Sequence, residues 1–104
     1  MKRIIEGKCY DTATATEVAS SYYSYKGDFD WVEETLYRTK SGRYFMHGMG
    51  GAHTRWCWYD ENIWRGDGEG IVALTPAEAV EWLEANGKDV PAGCPEIEAL
   101  VTEA

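Results

Sequence analysis

The sequence holds few cysteines, and none of them pair up in spacing. Cys9, Cys57 and Cys94 are an odd number at long intervals, with no C-x-x-C anywhere, which argues against a disulfide framework. Zinc sites draw at least two ligands from one tight turn or helix face, and these cysteines with His47 and His53 offer no such pair, so neither a metal nor another cofactor is expected. No apolar run approaches the roughly 18 residues of a membrane span. Met1-Lys2-Arg3-Ile4-Ile5 lacks the long apolar region of a secretory signal, so the expected protein is cytosolic and has no membrane partner. Internal repeats and low-complexity linkers are absent too. Bases are scarce: 10 Lys and Arg face 18 Asp and Glu, for a formal charge of −8. That balance opposes direct binding to nucleic acid or an anionic membrane, because the phosphate term would be repulsive.

What is present suits one small domain, residues 1–104. The 104 residues are 44% hydrophobic, 27% charged and 13% aromatic, a globular rather than a disordered composition. The charge is unevenly placed. Residues 1–59 carry eight bases and seven acids, for +1, whereas residues 60–104 carry two bases and eleven acids, for −9. Glu78, Glu81, Glu84, Glu96, Glu98 and Glu103 read first as a solvated helix face and tail. The alternative is an electrostatic decoy, in which carboxylates spaced like phosphates occupy a basic nucleic-acid channel of another protein.

Local patterns give an α+β fold, a small antiparallel hairpin or meander sheet with two or three helices packed on one face. Lys2 to Asp11 reads as a hairpin turning at Glu6-Gly7. Asp11 or Thr12 is expected to cap a short helix over about 12–21, with Ala15, Val18, Ala19 and Tyr22 at helical spacing and many threonines and serines of poor propensity. Tyr22, Tyr23 and Tyr25 then form a polar aromatic connection, readable as a lid, a recognition loop or core tyrosines. Trp31 to Arg38 and Arg43 to His47, joined at Lys40-Ser41-Gly42, make the clearest hairpin. Gly48, Gly50 and Gly51 end its second strand. They are a weak phosphate-loop signal, with no K-[ST] and no βαβ unit around them.

Residues 52–70 interleave aromatics with charges. They read either as a third meander strand, on which Trp56 and Trp58 share a face, or as an exposed recognition surface. A flexible acidic loop is expected at Gly66-Asp67-Gly68-Glu69-Gly70, without the dense ligand spacing of a calcium loop. Ile71-Val72-Ala73-Leu74 is a buried strand. Thr75, Pro76, Glu78 and Gly87 then mark the cap, first position, capping box and end of a helix over about 75–86. A short last helix is expected within Pro95 to Thr102, with Ile97, Leu100 and Val101 packing back.

Cys57, His47, His53, Glu33 and Glu34 are candidate parts of an active site, but their spacing fixes no known geometry. Glu33 and Glu34 are adjacent on a strand and point to opposite faces, which excludes a shared carboxylate dyad. The expected protein is therefore not an enzyme.

Three segments carry a resemblance. They are Lys2-Arg3-Ile4-Ile5-Glu6-Gly7-Lys8-Cys9-Tyr10-Asp11-Thr12-Ala13-Thr14-Ala15, then Glu33-Glu34-Thr35-Leu36-Tyr37-Arg38-Thr39-Lys40-Ser41-Gly42-Arg43-Tyr44-Phe45, then Gly50-Gly51 with Leu74-Thr75-Pro76-Ala77-Glu78-Ala79. Together they resemble a family of small proteins carried by phages and integrative elements of Gram-positive bacteria, over roughly residues 2–85. Some small proteins of this kind are anti-CRISPRs, and the resemblance implies that role here. Where a polar, Gly-rich segment would follow the double glycine, this chain has Trp56-Cys57-Trp58-Tyr59. Joined to the charge, the resemblance implies a monomer or weak dimer in the cytoplasm of the infected host, binding a Cas effector protein or complex stoichiometrically as an acidic nucleic-acid mimic. The candidate contacts are Asp28, Asp30, Glu33, Glu34, Asp60, Glu61, Asp67 and Glu69, with Trp56, Trp58 and Trp64 as anchors. The rival expectation is a mobile-element accessory protein or adaptor that binds a host protein through the aromatic patch.

Overall fold

The computed structural model describes residues 1–25, 28–51, 53–56, 58–60, 63–66 and 68–104, without the side chains of 58–60 and 63–66. The order is β1 (Lys2–Ile5), β2 (Lys8–Asp11), β3 (Thr16–Tyr23), β4 (Val32–Arg38), β5 (Tyr44–Gly50), β6 (Trp58–Asp60), β7 (Ile63–Gly66), β8 (Gly68–Leu74), α1 (Pro76–Ala85) and α2 (Pro95–Glu98). The fold is α+β. Its centre is an antiparallel sheet of order β3-β4-β5-β8, accompanied by two separate two-stranded ribbons, β1-β2 and β6-β7.

Alternation along β4 and β5 sends two different sets of side chains to the two faces. Leu36, Tyr44 and Met46 face α1 and α2, where they meet Ala79, Leu83, Cys94 and Ile97. Phe45 and Ile71 face the other way and meet Tyr10 of the β1-β2 ribbon. Leu36, Phe45, Met46, Ile71 and Ile97 are each fully buried, which is worth roughly 1.5–3 kcal/mol for each such side chain. The rings of Tyr37 and Phe45 stack at 5.1 Å, while Tyr10 meets Phe45 edge-on at 5.5 Å. The sheet is thus covered by helices on one face and by the ribbon on part of the other.

The expected hairpin of Lys2 to Asp11 is present, with Glu6 (φ 50°) and Gly7 (φ 77°) both left-handed at its turn. That pairing is the turn whose twist matches two right-twisted strands. The helix at 75–86 is also present. Thr75 Oγ1 accepts from Glu78 N at 3.1 Å, and Glu78 Oε1 accepts from Thr75 N at 2.9 Å.

Residues 12–21 are not a helix. Asp11 Oδ1 accepts from Ala13 N at 2.9 Å, closing a turn rather than capping a helix, and Thr16–Tyr23 pairs antiparallel with β4. The threonines and serines that weaken a helix here are compatible with a strand, and the exposed edge of β4 provides the partner. A bulge between Glu17 and Ala19 shifts the register and interrupts simple alternation in the sequence. Two helices remain among the described residues as a result. α2 is also shorter than expected: Ile97 packs inward, but Leu100 and Val101 are exposed, at 52% and 39%.

Among the described residues of 52–70, the next strand of the central sheet is supplied only from Gly68 onward, as the start of β8, and not by the tryptophan-bearing part. Trp56 lies in a turn, while β6 and β7 pair with each other. The expected loop at 66–70 is already strand from Gly68 onward, with Gly68 opposite Gly50 and Gly70 opposite Gly48. Glycines there leave the face of the sheet open, and Trp56 fills the space.

Candidate protein-binding surface

One end of the central sheet gathers most of the candidate residues that are described. β3 finishes at Tyr23, and Ser24 (φ 63°) turns the chain into the connection leading to β4. Ser24 Oγ donates to Asp28 Oδ2 at 2.6 Å, and Asp28 Oδ1 accepts from Asp30 N at 2.8 Å. These hydrogen bonds, with a smaller contribution from His53, hold the Asp28 carboxyl below its ordinary range. Asp30 Oδ1 meets His53 Nδ1 at 3.0 Å, and the His53 ring lies 5.4 Å from that of Phe29. His53 N also donates to Phe29 O at 2.8 Å, while Gly51 N donates to Trp31 O at 2.7 Å. A Cβ on Gly51 would sit 2.7 Å from the carbonyl oxygens of both Asp28 and Phe29, so only glycine lets the two connections lie this close.

The outward groups of this end are acidic and aromatic. Tyr22, Tyr23, Tyr25 and Phe29 are 79%, 63%, 73% and 58% exposed. Register places Tyr22, Glu33, Met49 and Glu69 in one row across β3, β4, β5 and β8, so their side chains share the face that the helices do not cover. Glu33 and Glu69 are exposed there, and Glu69 Oε2 meets His47 Nε2 at 2.9 Å. Tyr22, Tyr23, Tyr25 and Phe29 were not among the candidate contacts read from the sequence. The density of tyrosine between 22 and 25 was the available signal, and it read equally well as core.

Glu34 and Trp56 belong to the interior instead. On the helix-bearing face, Glu34 Oε2 accepts from Trp56 Nε1 at 2.8 Å and Oε1 accepts from Trp82 Nε1 at 3.0 Å. Trp56 is 7% exposed and lies directly on Gly48, where any Cβ would collide with its indole. Arg55 stacks on the same ring, 5.0 Å from its centroid. The half-buried carboxylate thus ties α1, the 53–56 turn and β4 together, each charged oxygen satisfied by an indole N–H. Strand alternation separates Glu33 from Glu34 as expected.

Trp58, Asp60 and Trp64 lie on the backbone of β6 and β7. Glu61 and Asp67, together with Cys57, fall outside the described residues. Among the described residues, no three His, Cys, Asp or Glu side chains converge closely enough to hold a metal ion, and no helix is long and apolar enough to cross a membrane. Comparison of the chain with protein-family models, curated proteins and solved structures finds no match.

Proposed function

We propose that this protein inhibits a CRISPR effector by binding it stoichiometrically in the host cytoplasm, offering Asp28, Asp30, Glu33 and Glu69 to a basic nucleic-acid groove. The observation that supports the reading is the convergence of these four carboxylates with four exposed aromatic rings on one end of the sheet. Carboxylates steer encounter with a basic surface, and tyrosines supply rigid contact area around them. Two internal ties, Ser24 to Asp28 and His53 to Asp30, hold carboxylates in place before any partner arrives, which lowers the ordering cost of association. The link to CRISPR immunity rests on the resemblance of the three sequence segments.

The test has two stages. Expression in cells with type I or type II immunity should restore phage plaquing only when a targeting spacer is present. With the responsive effector purified, the double variant Asp30→Lys with Glu33→Lys should then slow association by at least about tenfold at low salt, and added salt should erase the difference. Unchanged inhibition by that variant removes the mimic mechanism. The second reading, an adaptor that docks through Tyr22, Tyr23, Tyr25 and Phe29, is favoured by their exposure. It predicts binding that is insensitive to salt and lost in Tyr22→Ser with Tyr25→Ser. Inhibition at substoichiometric dose would overturn both readings in favour of an enzyme.

A further inference from the structure

The opposite end of the sheet has the reverse character. A groove of about 760 Å³ runs beside β8, between the β1-β2 ribbon, the β4-β5 turn and the start of α1. Three of the protein's ten bases, Arg3, Lys8 and Arg43, line it. Arg3 Nη1 donates to Ile71 O at 2.6 Å, whereas the side chains of Lys8 and Arg43 have no hydrogen bond or ion pair among the described residues. Glu78, one of two acids on the rim, is already engaged with the backbone of Thr75. A smaller hollow of about 260 Å³ continues the groove past Lys8, Tyr10 and Arg43.

One wall of the groove is formed by Val72, Ala73 and Leu74 of β8, the last strand of the sheet, which pairs with no strand on its outer side among the described residues. Thr39 N donates to Arg43 O at 2.8 Å, closing the β4-β5 hairpin. Antiparallel pairs alternate between bonded and non-bonded, so this bond fixes the pattern outward from the turn: Tyr37 with Phe45 bonded, then Tyr44 with Leu74 and Met46 with Val72 bonded on the other side. Ile71 and Ala73 therefore turn their N–H and C=O groups away from β5. The bond from Arg3 to Ile71 O agrees with that direction. Ala73 is exposed and lines the groove.

We infer that this groove receives an extended peptide of a partner protein that adds a strand to β8 and alternates acidic with apolar residues. Backbone pairing to Ala73 and to the N–H of Ile71 would set its register. Alternation would point its acidic side chains towards Arg3, Lys8 and Arg43 on the ribbon side, and its apolar ones towards Val72, Leu74 and Pro76 on the helix side. The volume lies within the range of formed ligand sites. Unpaired cations beside one another in an acidic protein repel each other until an anion arrives, and the net charge of −8 acts at longer range, where salt screens it.

The probe is the hexapeptide acetyl-Glu-Val-Glu-Val-Glu-Val-amide. Its binding should slow hydrogen exchange at the amides of Ile71 and Ala73, weaken with salt, and weaken by at least about tenfold in Lys8→Glu with Arg43→Glu. The same peptide N-methylated on the residues that face β8 should not bind, a result independent of any variant's folding. Absence of binding at millimolar peptide overturns the proposal, as does equal binding of the N-methylated form or of the peptide with Lys in place of Glu. Binding of inorganic pyrophosphate at the groove without binding of the peptide would mean a simple anion site and overturn it as well.

Discussion

The two ends of the four-stranded sheet differ in charge, in aromatic content and in how their ionic groups are held. At the end of β3 and the start of β4, carboxylates sit among exposed tyrosines, and neighbours in the connecting loops hold the half-buried Asp28 and the exposed Asp30. At the β4-β5 turn, cations line a groove, and a two-pronged ionic contact lies beside it. Arg38 Nε and Nη2 both donate to Glu96 at 2.9 Å, and Tyr44 Oη donates to the same carboxylate. This clasp joins α2 to the sheet, whereas the acidic end depends on the packing of Trp56. The difference teaches that a guanidinium–carboxylate pair ties one end, whereas a buried indole packed on glycine ties the other, so the two should fail under different insults.

The largest expected effect follows from removing the shape. Trp56→Ala should cost about 3–5 kcal/mol in denaturant unfolding and leave the Glu34 carboxylate with one indole donor instead of two. In native-state hydrogen exchange it should lower protection at Gly51 and His53, whose amides bond to the 29–31 connection. Protection at Gly42, in the far turn, should stay as it was. Equal loss at both ends would mean that the ends are not independent.

Acid should act most on the other end, because the Glu96 carboxyl is lowered further than that of Asp28. Hydrogen bonds from Arg38 first, and then from Tyr44, hold the Glu96 carboxyl down to about 2 from its ordinary 4.5. A folded value below the unfolded one means that the clasp's contribution is complete above about 4.5 and drains away as pH falls towards 2. Glu96→Gln should therefore flatten this part of the stability curve measured by urea unfolding. A wild-type and a variant curve that fall in parallel over that window would remove the clasp as the cause. On the alkaline side, burial first and then hydrogen bonding to Cys94 and Glu96 raise the Tyr44 phenol above its ordinary value, so it stays neutral and bonded there.

The smallest effect sharpens the boundary of the groove. Thr75→Ala removes the acceptor for Glu78 N and should cost about 1 kcal/mol. The bond from the backbone N–H of residue 75 to the Glu78 carboxylate, the first cause of that carboxyl's lowered pKa, survives the substitution and keeps Glu78 on the groove rim. Unfolding measurements on this variant should show the loss without any change in exchange at Gly51.

Short-range chemistry was legible in the sequence. The turn at Glu6-Gly7, the hairpin through Ser41-Gly42 and the capping box of Thr75 and Glu78 depend on residues within a few positions of one another, so their signals survive without knowledge of the rest. The segment 12–21 was not legible, because its helical spacing and its β-compatible residues conflict, and the conflict is decided by an edge of β4 that lies far along the chain. The same is true of the surface. Composition placed the excess of acid in the C-terminal part, but the pairing of Glu33, Met49 and Glu69 in one row comes from strand register.

By itself, then, the sequence determined a small acidic α+β domain, its tight turns and its principal helix, since each follows from local backbone preference and overall composition. Tertiary structure alone decided that Trp56 lies on Gly48, that Glu34 turns inward to two indoles, and that Arg3, Lys8 and Arg43 share a groove. The reason is physical: which face a side chain occupies depends on pairing partners tens of residues away, and no local preference encodes that choice.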